Sequence, residues 1–153
     1  MGSPLDKHLV LIGFMGAGKS TLGAEVAERL GRRFVDVDRE LEAQAVVSIS
    51  EFFATRGETE FRVLEQKLTC DALDGGEPAV LALGGGAIMA EQTRRKLRER
   101  AITVLLDVPV EEAWRRSADS ERPLAASVFA SSPGGRVCVE ARRAPSASCA
   151  SAP

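Results

Sequence analysis

Gly13-Phe-Met-Gly-Ala-Gly-Lys-Ser-Thr21 (GFMGAGKST) decides the fold of this chain, because an apolar run, residues 8–12 (HLVLI), precedes it and a helical pattern follows. It fills G-x-x-x-x-G-K-[ST] at Gly13, Gly18, Lys19 and Ser20. Glycines let a backbone curl until successive N–H groups converge on phosphate oxygens, and the helix that follows adds its positive dipole end. Gly13, Gly16, Ala17, Gly18 and Thr21 are therefore expected to cradle phosphate. Lys19 should reach the β- and γ-phosphates, and the Ser20 hydroxyl should join a magnesium shell. The loop predicts a nucleoside triphosphate site and leaves open where its phosphate goes.

Outward from the loop, short apolar runs alternate with longer helical patterns, the signature of a parallel α/β sheet. Strands are predicted at 8–12, 33–37, 79–83 and 102–107. Leu22, Val26 and Leu30 recur at helical spacing and predict a buried stripe that ends at Gly31. Ser48-Ile-Ser-Glu51 reads as a capping box opening a helix with Phe52 and Phe53. Gly57 interrupts it, and Phe61, Leu64 and Leu68 mark a second helical face. Two more helices are expected at 90–99 and 110–118.

With 153 residues, 44% hydrophobic and 27% charged, the chain has the make-up of one soluble domain. A net charge of -2 argues against a general nucleic-acid or membrane-surface binder. No apolar segment approaches the ~20 residues that span a bilayer. Cys70, Cys138 and Cys149 form no CxxC pair, and MGSPLDKHLVLIG has no signal-peptide core. The cytoplasm, with reduced thiols, is the expected compartment.

The acceptor side is read from four places. Asp36-Val-Asp38 closes the second predicted strand, on the rim where open parallel sheets bind ligands. Period two puts both carboxylates on one face, one to hold magnesium and one to accept a hydroxyl proton. A solvated turn explains a lone DxD equally well. Gly84-Gly85-Gly86 follows the third strand at the same rim and either exposes backbone amides to a ligand or is a plain turn. Arg62, in EFRVLE, is either a surface charge or a fork for a carboxylate. Arg122, in a loop before Pro123, is either an ordinary loop residue, as a lone Arg-Pro pair usually is, or a lid arginine of a phosphoryl-transfer enzyme. His8 is expected to be structural or exposed, and Trp114 packed against the sheet, neither belonging to the site.

Taken together, GFMGAGKST, FVDVD, SISEFFATRGETEFRVLE, LALGGGAI and RPLA resemble the shikimate kinases, in order and over about residues 8–125. The resemblance implies a P-loop, nucleoside-monophosphate-kinase-like fold with strand order 2-3-1-4-5. It implies transfer of phosphate from ATP, with Mg2+, to the 3-hydroxyl of shikimate in chorismate and aromatic amino acid biosynthesis. On that likeness Lys19, Asp38 and Arg122 are catalytic, and Ser20 and Asp36 hold the metal. Arg115 stacks on adenine, and Asp38, Arg62, Gly84, Gly85, Gly86 and Arg143 bind shikimate. A monomer acting on a small molecule is implied, with neither nucleic acid nor membrane as partner.

The likeness lapses after Leu124. Residues 1–125 read as the kinase core and 126–153 as an atypical, loosely ordered lid or tail rich in Ala, Ser and Pro. Arg142-Arg143-Ala144-Pro145 echoes the family's second carboxylate-binding arginine, but Ser-Ala stands where the family has Leu-Tyr. A fifth strand and closing helix are not expected, which would leave the fourth strand as an apolar edge. The tail is either a divergent terminus or the product of a frameshift in a GC-rich coding sequence. The alternative functions are a weakly active nucleotide-binding remnant and a sister small-molecule kinase such as a gluconate kinase.

Overall fold

Strand β1 (His8–Gly13) occupies the inside of a parallel sheet, and the other strands are placed by it. The computed structural model describes residues 4–117; Arg122, Arg143 and the expected boundary at residue 125 lie outside them. On one side β1 pairs with β3 (Val80–Ala82), Leu9 opposite Val80; on the other it pairs with β4 (Ala101–Leu106), Leu9 opposite Ile102. β2 (Phe34–Asp36) lies outside β3, Val35 opposite Leu81. The order β2-β3-β1-β4 is the expected α/β sheet. It also follows the implied order for the first four strands. Helices α1 (Lys19–Leu30), α2 (Val37–Ala45), α3 (Ile49–Leu73), α4 (Glu91–Arg100) and α5 (Val110–Ser117) complete it.

Alternation along the strands divides the core. Val10 and Ile12 of β1 join Leu81, Leu73 and Leu97 in one buried cluster with α3 and α4. Leu9 and Leu11 point the other way, in register with Ile102 and Val104 of β4. Those two β4 side chains are 42% and 37% exposed, and β4 is an edge among the described strands.

The helix after the loop packs differently from its sequence pattern. Leu22 and Leu30 of the expected stripe are 38% and 48% exposed, and the buried residues of α1 are Gly23 and Ala27. The reason is close approach. A methyl group on Gly23 would run into the ring of Phe34, so α1 lies against β2 through its smallest side chains. Gly31 stops the helix as predicted, in the left-handed region at φ 60°, with its N–H donated to Ala27 and Glu28 carbonyls.

A second correction concerns FVDVD. The strand ends at Asp36, and Val37 already begins α2, which the sequence reading did not foresee. Asp36 and Asp38 therefore do not alternate along one strand. Asp36 is the N-cap of α2, and Asp38 lies in its first turn. Val35 and Val37 are both buried in the main core.

Ser48 caps α3 as predicted, its Oγ accepting the Glu51 N–H at 3.2 Å. Glu42 Oε1 takes the Ile49 N–H at 3.1 Å. Gly57, at φ 82° and ψ 175°, kinks α3. Around the kink Phe52 meets Phe61 edge-on at 6.1 Å between centroids, and Phe53 lies 4.5 Å from the same ring. With Leu41 and Ile49 these rings make a second buried cluster under α2.

His8 is structural, as expected. It is buried, and its Nδ1 accepts the Ala79 N–H at 3.1 Å. Burial holds its pKa below 6.5, only partly offset by hydrogen bonding to the backbone of Gly75 and Leu73, and the charges of Arg100 and Arg32 add to the fall. The fold thus favours neutral imidazole, and the unfolded chain takes up the proton first as pH drops through 6.5. This contribution to stability is present above that pH and lost below it. The melting temperature of the native protein is expected to fall more steeply between pH 8 and pH 5 than that of His8→Gln, and parallel curves would contradict the assignment.

Val46 ends α2 at φ 59° and is 85% exposed, a β-branched side chain in the left-handed region with little burial to offset the strain. Val46→Gly should stabilise the protein by about 1 kcal/mol, read as a rise in the urea midpoint at unchanged slope.

Candidate active site

The phosphate loop is formed where three backbones crowd together. Gly13, Gly16 and Gly18 have φ of 151°, 81° and 91°. Conformation is half of the demand. A Cβ on Gly13 would lie 2.7 Å from the Leu106 carbonyl oxygen, and one on Gly16 would strike that of Ala113. The end of β4 and helix α5 thus press directly on the loop, and only glycine admits them. Ala17 is buried within the turn, its N–H donated to the Phe14 carbonyl at 3.1 Å.

Lys19 is the first residue of α1 and folds back over the loop. Its Nζ donates to the carbonyls of Gly13 and Phe14, both at 2.9 Å. The next residue, Ser20, donates its hydroxyl to Asp36 Oδ2 at 2.5 Å. Oδ1 of the same carboxylate accepts the Asp38 N–H at 3.1 Å and the Arg39 N–H at 3.4 Å. A cavity of about 590 Å³ opens over this array, lined by Gly16, Gly18, Lys19, Ser20, Thr21 and both aspartates.

Two arginines of α5 stand near its outer end. Arg116 lines the cavity, with Nε 2.8 Å from Glu112 Oε1. Arg115 also pairs with Glu112, but its side chain is 76% exposed and does not line the cavity. The resemblance implies Arg115 of the doublet for the base, and it is Arg116 that lines this space.

Below lies a smaller cavity of about 60 Å³, lined by Met15, Lys19, Asp38, Phe61, Arg62, Glu65 and Gly84–Gly86. Arg62 Nη1 donates to Glu65 Oε2 at 2.8 Å, Nη2 lies 3.4 Å from Glu58 Oε1, and the guanidinium stands 5.4 Å above the Phe61 ring. Glu65 is 3% exposed and escaped the sequence reading, since a glutamate in EFRVLE looks like an ordinary helix-surface charge. The available signal was its i+3 spacing from Arg62. Burial raises its pKa; the Arg62 hydrogen bond and charge oppose that rise, and the neighbouring Asp38 adds to it.

The glycine run explains how these groups fit. A Cβ on Gly84 would lie 2.9 Å from Glu65 Oε1 and 3.1 Å from Asp38 Oδ1. On Gly86 it would fall inside the Arg62 guanidinium, whereas on Gly85 it would meet nothing closer than 3.8 Å. A side chain at Gly84 or Gly86 would have to displace the charged groups packed there, and one at Gly85 would not.

Lys19 and Asp38 line both cavities. The cavity over the Gly13–Ser20 loop therefore shares walls with one that offers a carboxylate and a guanidinium. The Ser20–Asp36 oxygens suit a hard cation that keeps most of its coordination for phosphate and water, as Mg2+ does. Among the described residues no cluster of three or more His, Cys, Asp or Glu would cage a metal without such help. Nor is any described helix long and apolar enough to cross a membrane.

Comparison with known proteins agrees with this geometry. The family model for shikimate kinase matches residues 15–133. The shikimate kinase of Rhodopseudomonas palustris is 48% identical over 120 residues, spanning 78% of this chain and 59% of that protein. The chain thus spans about three fifths of the length of that curated relative. The structure of shikimate kinase from Acinetobacter baumannii in complex with shikimate superposes with a TM-score of 0.73 at 38% identity, over 76% of this chain and 65% of that one. A gluconokinase from Sinorhizobium meliloti, 18% identical with a TM-score of 0.54 over 87% of this chain and 79% of its own, shares the fold alone.

Gly86→Ala should drive Arg62 from its place. Titration calorimetry is expected to show at least about tenfold weaker binding of a small carboxylate ligand, with ADP affinity within about twofold of native. Unchanged carboxylate binding would remove Arg62 from the ligand site.

Proposed function

Because the chain belongs to the shikimate kinase family, we propose that it transfers the γ-phosphoryl group of ATP to the 3-hydroxyl of shikimate, giving shikimate 3-phosphate for chorismate biosynthesis. The observation that carries this reading is that Lys19 and Asp38 line both cavities, with Arg62 in the wall of the inner one. An acid bound through its carboxylate at Arg62 has its far side turned towards the phosphate loop. The shikimate-bound neighbour from Acinetobacter baumannii supports the choice of acid.

Each residue then has a physical task. Arg62 receives the carboxylate as a fork, while Glu65 keeps the guanidinium oriented from behind and the weaker Glu58 contact is given up. Asp38 accepts hydrogen bonds from the ring hydroxyls and takes the proton of the attacking one. The side-chain-free face of Gly84–Gly86 lets the ring approach the backbone. Lys19 exchanges the Gly13 and Phe14 carbonyls for β- and γ-phosphate oxygens. Ser20 and Asp36 hold Mg2+, which when bound offsets charge on those oxygens. Gly13, Gly16, Ala17, Gly18 and Thr21 direct backbone N–H groups at the phosphates, and an α5 arginine, Arg116 or Arg115, stands by the base. Arg122 and Arg143 keep their roles as lid and second carboxylate-binding arginines within the proposal. The working unit is a monomer in the cytoplasm.

The test is ADP release coupled to a reporter, with shikimate, gluconate or no acceptor. Shikimate alone should stimulate turnover; stimulation by gluconate, or by neither, overturns the reading. Lys19→Ala should lower kcat at least about 100-fold. Arg62→Ala should raise KM for shikimate about tenfold or more with KM for ATP unchanged.

A further inference from the structure

We infer that Asp36 is a positioning residue for the acceptor carboxylate, one side chain that fastens Asp38 to the phosphate loop. The inference rests on the acceptor role proposed for Asp38. It adds to the metal role expected of Asp36 a second one that needs neither nucleotide nor cation.

Each carboxylate oxygen of Asp36 has a separate job. Oδ2 accepts the Ser20 hydroxyl at 2.5 Å, from the first turn of α1. Oδ1 accepts the N–H of Asp38 itself at 3.1 Å and that of Arg39 at 3.4 Å. The Asp36 side chain is 9% exposed, and Arg39 Nε stands 3.9 Å from Oδ2. Asp36 is thus bonded to the helix turn that carries Lys19 and, two covalent residues on, to the backbone that aims Asp38.

A capping aspartate is ordinarily just a helix stabiliser. Three features give this one more consequence. α2 has nine residues, too short to hold itself together in isolation. Its far end closes on Val46, whose N–H donates to the Glu42 carbonyl at 2.9 Å but whose β-branched side chain sits in the left-handed region. And Asp38 lies within the capped turn, where loss of the cap acts directly on its φ and ψ. Packing through Val37 and Leu41 keeps the helix on the core but leaves the first turn dependent on Asp36. The Ser20 hydroxyl in turn fixes which rotamer the cap adopts. The geometry therefore couples the hydroxyl at the phosphate end to the direction of Asp38.

The test compares Asp36→Ala, Asp36→Asn and Ser20→Ala in the full chain, free of nucleotide and with EDTA present. Amide hydrogen exchange at Asp38 and Arg39 reads the cap, and titration with shikimate reads the acceptor end. Asn can cap through its carbonyl while its amide N–H faces Ser20 Oγ, so Asp36→Asn should stay within about twofold of native in both readouts. Asp36→Ala should speed exchange at both amides about tenfold and weaken shikimate binding about fivefold or more. Ser20→Ala should move both in the same direction by about two- to threefold. Unchanged exchange in Asp36→Ala overturns the inference, as does faster exchange with unaltered shikimate affinity. Equal losses in the Ala and Asn variants also overturn it, since charge rather than capping would then be responsible. If Asp36→Ala does not fold, Ser20→Ala decides by the same criteria. If the native protein binds no shikimate, the acceptor reading fails separately, and slower exchange in native protein than in Ser20→Ala still supports the coupling.

Discussion

The Arg62–Glu65 pair lets two carboxylates face one small cavity. Glu65 is almost wholly buried and Asp38 lies close enough to push its pKa upward. Such a pair of negative groups, left alone, would favour protonation or an open site. A guanidinium 2.8 Å from Glu65 offsets that repulsion and is itself carried on the Phe61 ring. Phe61 in turn belongs to the aromatic cluster around the Gly57 kink. Bare backbone at Gly84 and Gly86 leaves these charges where they are, because a methyl group at either position would displace them. Fold and polar site are thus solved together at this end.

What could be read from the sequence was whatever is local. The turn from β1 into α1 is written in a few contiguous residues, each with its own reason, and it was legible in full. So were the Gly31 stop, the Ser48 cap and the break at Gly57. The parallel sheet was legible from alternation of short apolar runs with helical patterns. Its strand order was implied only by resemblance.

The failures share a cause. Each involves a residue whose setting is decided by something distant in sequence. FVDVD alternates like a strand, yet the aspartate at its middle terminates the strand and caps a helix, and no period signals that handover. Leu22 and Leu30 look like a core stripe until Phe34 beneath Gly23 sets how α1 lies. Glu65 is chemically indistinguishable from its exposed neighbours, and beyond its i+3 spacing from Arg62 it is the approach of Gly84, far along the chain, that marks it as internal.

The sharing of Lys19 and Asp38 between the two cavities has a consequence for inhibitor chemistry. Where the two cavities adjoin, Lys19 and Asp38 set opposite charges beside the Met15 side chain. A linker of plain methylenes threaded between the cavities would strip water from an ammonium and a carboxylate without replacing it. A tether that sets an anionic group beside Lys19 and a hydroxyl beside Asp38 would meet each with its complement. Under the proposed function, discrimination from other kinases with the same glycine loop would come from the far end of such a molecule, beside Arg62, Glu65 and the bare backbone of Gly84 and Gly86.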